Sequence, residues 1–227
     1  MKALTILLFS LFSLPLMLNA QTVDEMLHKV SAAIEAGQHG QAVSYFRQAI
    51  SLNIDRSEMF YWTSIDKSSD ISSKLSNELA LAYKKNRNYD KAFLFYKELS
   101  QKTPDNVDYL EAVAEMQVCR GQEKDALLMF ENILKLDADN LAANIFLGNY
   151  YYLMAEKEKK RLDTDFKKLA SPTKMQYARY RDGLSKVFST GYQKARNSLR
   201  KVISQFPSTE AQKTLDKILR IEKEVTR

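Results

Sequence analysis

Apolar residues recur along this chain at helical spacing, three and four apart, with no sustained alternation of the kind a half-buried strand shows. The pattern also repeats at longer range. Leu79, Val113 and Leu147 are 34 residues apart, as are Ala80, Ala114 and Gly148, and Tyr83, Gln117 and Tyr151. Ala92 and Ala126, Tyr96 and Phe130, and Leu99 and Ile133 keep the same interval of 34. The pattern predicts helices over about 23–36, 39–52, 68–87, 89–102, 106–120, 122–136, 140–168, 173–188, 190–205 and 208–225. An all-α chain follows. A fixed period of this length means that each helix pair leaves a face that only a neighbouring pair covers.

The register extends over the rest of the chain when two insertions are allowed. Ala42, Phe46 and Ala49 precede Ala92, Tyr96 and Leu99 by 50, and Ala195, Leu199 and Val202 follow Ala126, Phe130 and Ile133 by 69. Pro104 and Pro207 stand 103 apart, three periods and one residue. Small residues at two fixed columns with aromatics between them resemble the tetratricopeptide repeat (TPR). The signature columns hold Ala80, Tyr83, Ala92, Tyr96 and Pro104, then Ala114, Ala126 and Phe130, then Gly148, Ala195 and Pro207. The resemblance implies a TPR-like α-solenoid of antiparallel helix pairs in a single domain over 21–227, with units at about 23–56, 73–106, 107–140 and 141–207. The segment 208–225, apolar at Ala211, Leu215, Ile218 and Leu219 and charged opposite, is expected to cap the stack.

Two stretches depart from a plain repeat. The first, about 57–72, carries Met59, Phe60, Tyr61 and the only tryptophan, Trp62. These aromatics either lid the groove between the first two units or stand exposed as an anchor for a partner. The second follows Tyr150-Tyr151-Tyr152 and reads as a long polar helix, a Ser171-Pro172 turn and a further helix. It is read as a lengthened fourth unit with a paired insert, the alternative being a degenerate fifth repeat.

Composition and charge narrow the function. With 6 Gly and 4 Pro in 227 residues, collagen-like, low-complexity and turn-rich β architectures are excluded. Residues 1–20 place Lys2 before an apolar run and end on Asn19-Ala20, the order of a secretory signal peptide. The chain is therefore expected to be exported, to the periplasm or outside the cell, without a membrane-spanning segment in its mature part. The only cysteine, Cys119, sits in a helical stretch and is expected to be a small buried residue. There is no phosphate loop, nucleophile elbow or Cys/His set, so no enzyme activity, cofactor or metal site is expected. The net charge of +6 conceals an asymmetry. Residues 21–140 hold 14 Lys+Arg against 19 Asp+Glu, whereas 156–201 hold 14 against 5. The basic stretch is either a solvated helix face or a docking surface for an acidic protein or an anionic envelope component. Tyr177, Arg179, Tyr180 and Arg181 would suit nucleic-acid stacking, but export argues against such a partner.

Resemblance to the family also implies a partner groove lined by the first helix of each pair. Its columns fall on Lys74, Asn77, Leu81 and Lys84, on Asp108, Glu111, Glu115 and Val118, and on Ala142, Ile145, Asn149 and Tyr152. The middle set is acidic, which disfavours a clamp for a C-terminal carboxylate and favours a ligand of central positive or mixed charge. The leading expectation is an exported scaffold for protein–protein contacts, binding a peptide or helix. The alternative is a surface adaptor working through 156–201.

Overall fold

A computed structural model describes residues 22–225, which carry α-helices and one π-helical turn and, among the described residues, no strand. The expected signal peptide at 1–20 lies outside the described residues. The helices are α1 (Val23–Glu35), α2 (His39–Leu52), α3 (Ile54–Ser64), α4 (Asp70–Lys85), α5 (Tyr89–Lys102), α6 (Val107–Cys119) and α7 (Glu123–Leu136). Then come α8 (Leu141–Lys167), α9 (Lys174–Val187), the π turn Phe188–Tyr192, α10 (Gln193–Gln205) and α11 (Thr209–Val225).

The same local chemistry recurs at the repeat interval. Asn106 and Asn140, 34 apart, are both N-caps, accepting from the backbone N–H of Tyr109 at 3.1 Å and of Ala143 at 2.9 Å. Three helix ends close through one turn, in which a left-handed residue lets the chain bend back on its last carbonyls. Gly37 (φ 71°), Arg87 (φ 58°) and Gly121 (φ 73°) occupy that position. The following residue's N–H donates back over five residues each time, Gln38 to Ala33, Asn88 to Tyr83 and Gln122 to Gln117, at 2.8–2.9 Å. Pro104 and Pro207 each follow a residue that closes a helix, Thr103 after α5 and Phe206 after α10.

The described residues fall into two compact units, up to Ala82 and from Tyr83. The division lies within α4. Contacts in a repeat chain run mainly between neighbouring elements, so long-range contacts tying its ends together are few.

In the first unit α1 and α2 form an antiparallel pair, with Met26, Leu27, Val30 and Ala33 buried on one and Ala42, Phe46 and Ala49 on the other. A capping box starts α1, Thr22 Oγ1 accepting from Glu25 N–H and Glu25 accepting from Thr22 N–H, both at 3.2 Å. The first insertion is helical, which the apolar pattern misses. Asn53 caps α3 by accepting from Arg56 N–H at 2.9 Å, so the helix begins inside the expected first unit and ends at Ser64.

In the second unit the small columns are buried: Ala92, Ala114, Ala126 and Ala195 have no exposed surface, and Gly148 is buried beside Leu199. Tyr96 and Phe130 are buried next to them. The second insertion lengthens one hairpin. Gly148 faces Leu199, Ala155 faces Gly191, and Leu162 faces Gly183, partners that step in opposite directions along α8 and along α9–π–α10. The 69-residue spacing is thus one period plus a 35-residue insert, and no turn separates Lys174 from Gln205. At 1.5 Å per residue α8 is about 40 Å long, roughly twice its neighbours. α11 packs along α10, the π turn and α9 with Ala211, Leu215 and Ile218 buried, and Arg196 pairs with Glu222.

Candidate partner-binding face

The columns expected to form a groove separate into different environments. In the first unit Lys74 is exposed and Asn77 half-buried on α4. On the same helix Glu78 takes both guanidinium contacts of Arg47, at 2.8 and 2.6 Å. The aromatic insert divides. Tyr61 is fully buried, Phe60 is half-buried with its ring 6.3 Å from that of Phe46, and Trp62 is exposed, edge-on to Tyr61 at 5.1 Å. Lys67 lies over the Tyr61 ring at 3.4 Å and donates to the carbonyl of Tyr61. Phe60 and Met59 line a cleft of about 300 Å³ between α1 and α3, which Asp24 and Arg56 bridge at 3.0 Å.

In the second unit the acidic set is engaged within the fold. Lys84 Nζ donates to Glu115 at 2.5 Å, and Asn140 Nδ2 donates to Glu111 at 3.2 Å. Only Asp108, in the first turn of α6, stays exposed. The expected acidic patch is thereby reduced, and with it the case for a centrally positive ligand. Cys119 is exposed rather than buried, because it is the last residue of α6 and borders a polar hollow with Arg87, Tyr89 and Arg120.

The first half of α8 is different. Ala142, Ile145 and Asn149, all from the expected columns, line a hollow of about 410 Å³ together with Phe146, Tyr150, Leu153 and Glu123. Ile145 and Leu153 are exposed, Leu153 at 65%. Tyr152, expected among them, turns the other way, its ring 6.2 Å from the buried Tyr192. Burial and the nearby Glu156 push its hydroxyl pKa upward. A second hollow of about 350 Å³, lined by Met154, Ala155, Val187 and Gly191, continues along the helix, and Tyr150 borders both.

The face rests on a fixed base. Phe130 stacks on Phe146 at 4.5 Å and Phe146 on Tyr150 at 5.7 Å. Tyr151 donates to Glu131 and accepts from Lys194 at 3.2 Å. Burial, followed by the Glu131 contact, raises the Tyr151 hydroxyl well above its ordinary range. The repeat columns did not mark Phe146, Tyr150, Leu153 or Met154. The signal was present in composition: Ile145 to Leu147 and Tyr150 to Met154 are apolar or aromatic nearly all round the helix, more than one buried face uses. Among the described residues there is no group of His, Cys, Asp and Glu able to hold a metal ion, and no helix long and apolar enough to cross a membrane.

A crystal structure from Bacteroides ovatus, provisionally designated a protein-binding protein, is 82% identical over 90% of this chain and 100% of that one, with a TM-score of 0.84. The chain belongs to the same family as that Bacteroides ovatus protein, and its helical repeats are TPR-like. Two other matching structures are the C-terminal part of a TPR repeat-containing protein from Cytophaga hutchinsonii and a TPR repeats protein from Bacteroides fragilis. The first is 14% identical over 87% of this chain and 74% of that one, TM-score 0.41. The second is 11% identical over 88% and 98%, TM-score 0.38. No protein-family profile and no curated protein matches the chain. Its TPR-like helix pairs depart from a regular array chiefly in the long α8 hairpin, which also carries the apolar face.

Proposed function

We propose that this TPR protein is a non-catalytic scaffold whose protein partner lays an apolar peptide or helix against the first half of α8. The observation that carries the reading is the hollow around Ile145, Phe146, Tyr150 and Leu153, apolar and open, on a stacked aromatic base. Apolar side chains collected on an open surface mark contact sites more often than stability devices. The protein-binding designation of the Bacteroides ovatus relative supports the same reading. The apolar order of residues 1–20 supports action in the cell envelope or outside the cell.

The test is capture of partners from an envelope extract at roughly 0.5 M salt, where exposed ion pairs are screened and apolar contacts persist. Ile145→Asp with Leu153→Asp is expected to lose the captured protein while the far-UV spectrum and melting stay as in the parent. Equal capture by the double variant would remove the α8 face from the assignment. Reversing Glu111 and Glu115 is a poorer probe, since their contacts with Asn140 and Lys84 would break as well.

A further inference from the structure

The far end of the α8–α9 hairpin is used neither by the core nor by the apolar face. Residues 166–181 contain five cations, Lys167, Lys168, Lys174, Arg179 and Arg181, and no acid; of the five, Lys168 is paired with the flanking Asp165 at 2.9 Å, and Asp182 follows Arg181. All five are exposed. Among them stand apolar side chains that also face water: Met175 at 65%, Tyr177 at 52% and Leu169 at 37% exposure. The end is nonetheless firmly built. Phe166 stacks on Tyr180 at 4.3 Å and meets Tyr177 edge-on at 5.9 Å, and Tyr180 donates to Asp163 at 2.6 Å. Thr173 and Gln176 close a capping box that starts α9.

A solvated helix face accounts for the cations. Met175 Sδ accepts from Arg179 at 3.7 Å and Tyr177 rests edge-on against Phe166, yet both side chains and Leu169 still keep much of their surface in water, clustered among the cations. An acidic protein is the competing occupant, and the outcomes below separate it from a membrane. An anionic bilayer surface matches both the cations and the apolar side chains. Tyrosine and aliphatic side chains enter the boundary between headgroups and acyl chains, while lysine and arginine reach the phosphates from flexible stems. We propose that the tip of this hairpin, centred on Met175 and Tyr177, docks peripherally on anionic phospholipid membranes. No described helix is long and apolar enough to cross a membrane, so the contact is with the surface. This site is separate from the α8 face, and a vesicle assay contains no protein partner, so the two assignments fail independently.

The chain is tested without residues 1–20, whose own apolar run would bind lipid. The Bacteroides ovatus chain, which corresponds in full to 90% of this one, folded and crystallised. Sedimentation with vesicles of equal parts phosphatidylglycerol and phosphatidylcholine is expected at low salt. Pure phosphatidylcholine should capture nothing, and binding to the mixed vesicles should vanish near roughly 0.5 M salt. Lys174→Gln with Arg179→Gln should weaken partition roughly 30-fold, and Met175→Ser with Tyr177→Ser roughly 10-fold or more. The charge pair is a surface substitution; because Tyr177 also rests on Phe166, Met175→Ser alone is measured beside the pair, and only variants that melt like the parent count as lost docking. In a Trp62→Phe background, the new indole of Tyr177→Trp should shift its emission to the blue on anionic vesicles and be quenched by brominated acyl chains. Failure to sediment with anionic vesicles overturns the proposal. So does binding that is indifferent to both pairs of substitutions, or sedimentation without any quenching. Capture on immobilised polyglutamate with no binding to vesicles would assign the tip to acidic proteins instead.

Discussion

Gly191 lies in the π turn opposite Ala155, and a Cβ built on it would stand 2.7 Å from the Ala155 Cβ and 3.4 Å from both the Ala155 Cα and the carbonyl oxygen of Tyr151. The two groups that collide are both fixed to backbone, so a change of rotamer cannot relieve Gly191→Ala. The hairpin has to part by several tenths of an ångström. Overpacking of this kind costs about 1–3 kcal/mol, against which Gly→Ala inside a helix returns up to about 1 kcal/mol. The contact is far below any real Cβ separation, which points to the upper part of that range and a net loss of about 2 kcal/mol. Ala155→Gly alone loses a buried methyl, about 0.8 kcal/mol, and helix propensity, about 1 kcal/mol, for a similar total. Together the two substitutions move one methyl from α8 to its partner across the same gap, so propensity and burial roughly cancel and the double variant should melt within about 1 kcal/mol of the parent. Additive losses would instead sum to about 4 kcal/mol, so the cycle predicts a favourable coupling of about 3 kcal/mol. Urea midpoints at constant slope, or melting temperatures at about 2–4 °C per kcal/mol, resolve that difference. A Gly191→Ala chain that melts like the parent, or a double variant that is simply additive, would refute the register of the long hairpin.

Other outcomes follow from single groups. Arg87 occupies the left-handed position that glycine takes at 37 and 121. Arg87→Gly should raise stability by about 0.5–1 kcal/mol after the entropy of glycine is set against the relieved strain, and a lower melting temperature would contradict this. Burial, and then Asp163, holds the Tyr180 hydroxyl up to about 12, and burial with Glu115 and Tyr109 does the same for Tyr96, again to about 12. Groups whose folded pKa is raised contribute stability that is complete below the unfolded tyrosine value near 10 and is lost as pH climbs towards 12. The folded chain should therefore show late tyrosinate absorbance and an alkaline decline in urea midpoint across that window. Tyrosinate absorbance that is complete near pH 10 while the chain is still folded would oppose it.

What the sequence made legible is what depends on short-range chemistry repeated at a fixed interval. The small columns Ala92, Ala126 and Ala195 are legible because two helices cannot approach over a larger side chain, and all three are buried. Helix ends were readable within a few residues, since Asn caps and left-handed turns act locally. The insertions were less readable. At α3 the aromatics Phe60, Tyr61 and Trp62 are consecutive, so no periodicity shows which one enters the core, and only the folded helix separates buried Tyr61 from exposed Trp62. The groove residues were hardest. Glu111 and Glu115 share a helix face, but whether a carboxylate is available to a ligand depends on Asn140 and Lys84, which arrive from other helices. Tyr152 lies one position from Leu153, and on a helix one position is about 100°, enough to turn it from the open hollow to the Tyr192 side.

The long hairpin gives a physical reason why an apolar face and a basic tip occur on one element. Extending α8 past its partner would leave every added turn without cover, and a lone helix extension of that length is marginal in water. The insert supplies that cover itself: α9 packs back through Gly183 against Leu162 and through Tyr180 on Phe166, and Tyr180 and Tyr192 bond to Asp163 and Glu156 of α8. These contacts make the extension self-sufficient on its inner side. They do not require anything apolar on its outer side, where polar residues would keep the helix equally stable and more soluble. Leu153 near the base and Met175 and Tyr177 at the tip are exposed all the same. Contact with protein at the base and with an anionic membrane at the tip, the two proposed surfaces, would cover the apolar area that the hairpin leaves in water.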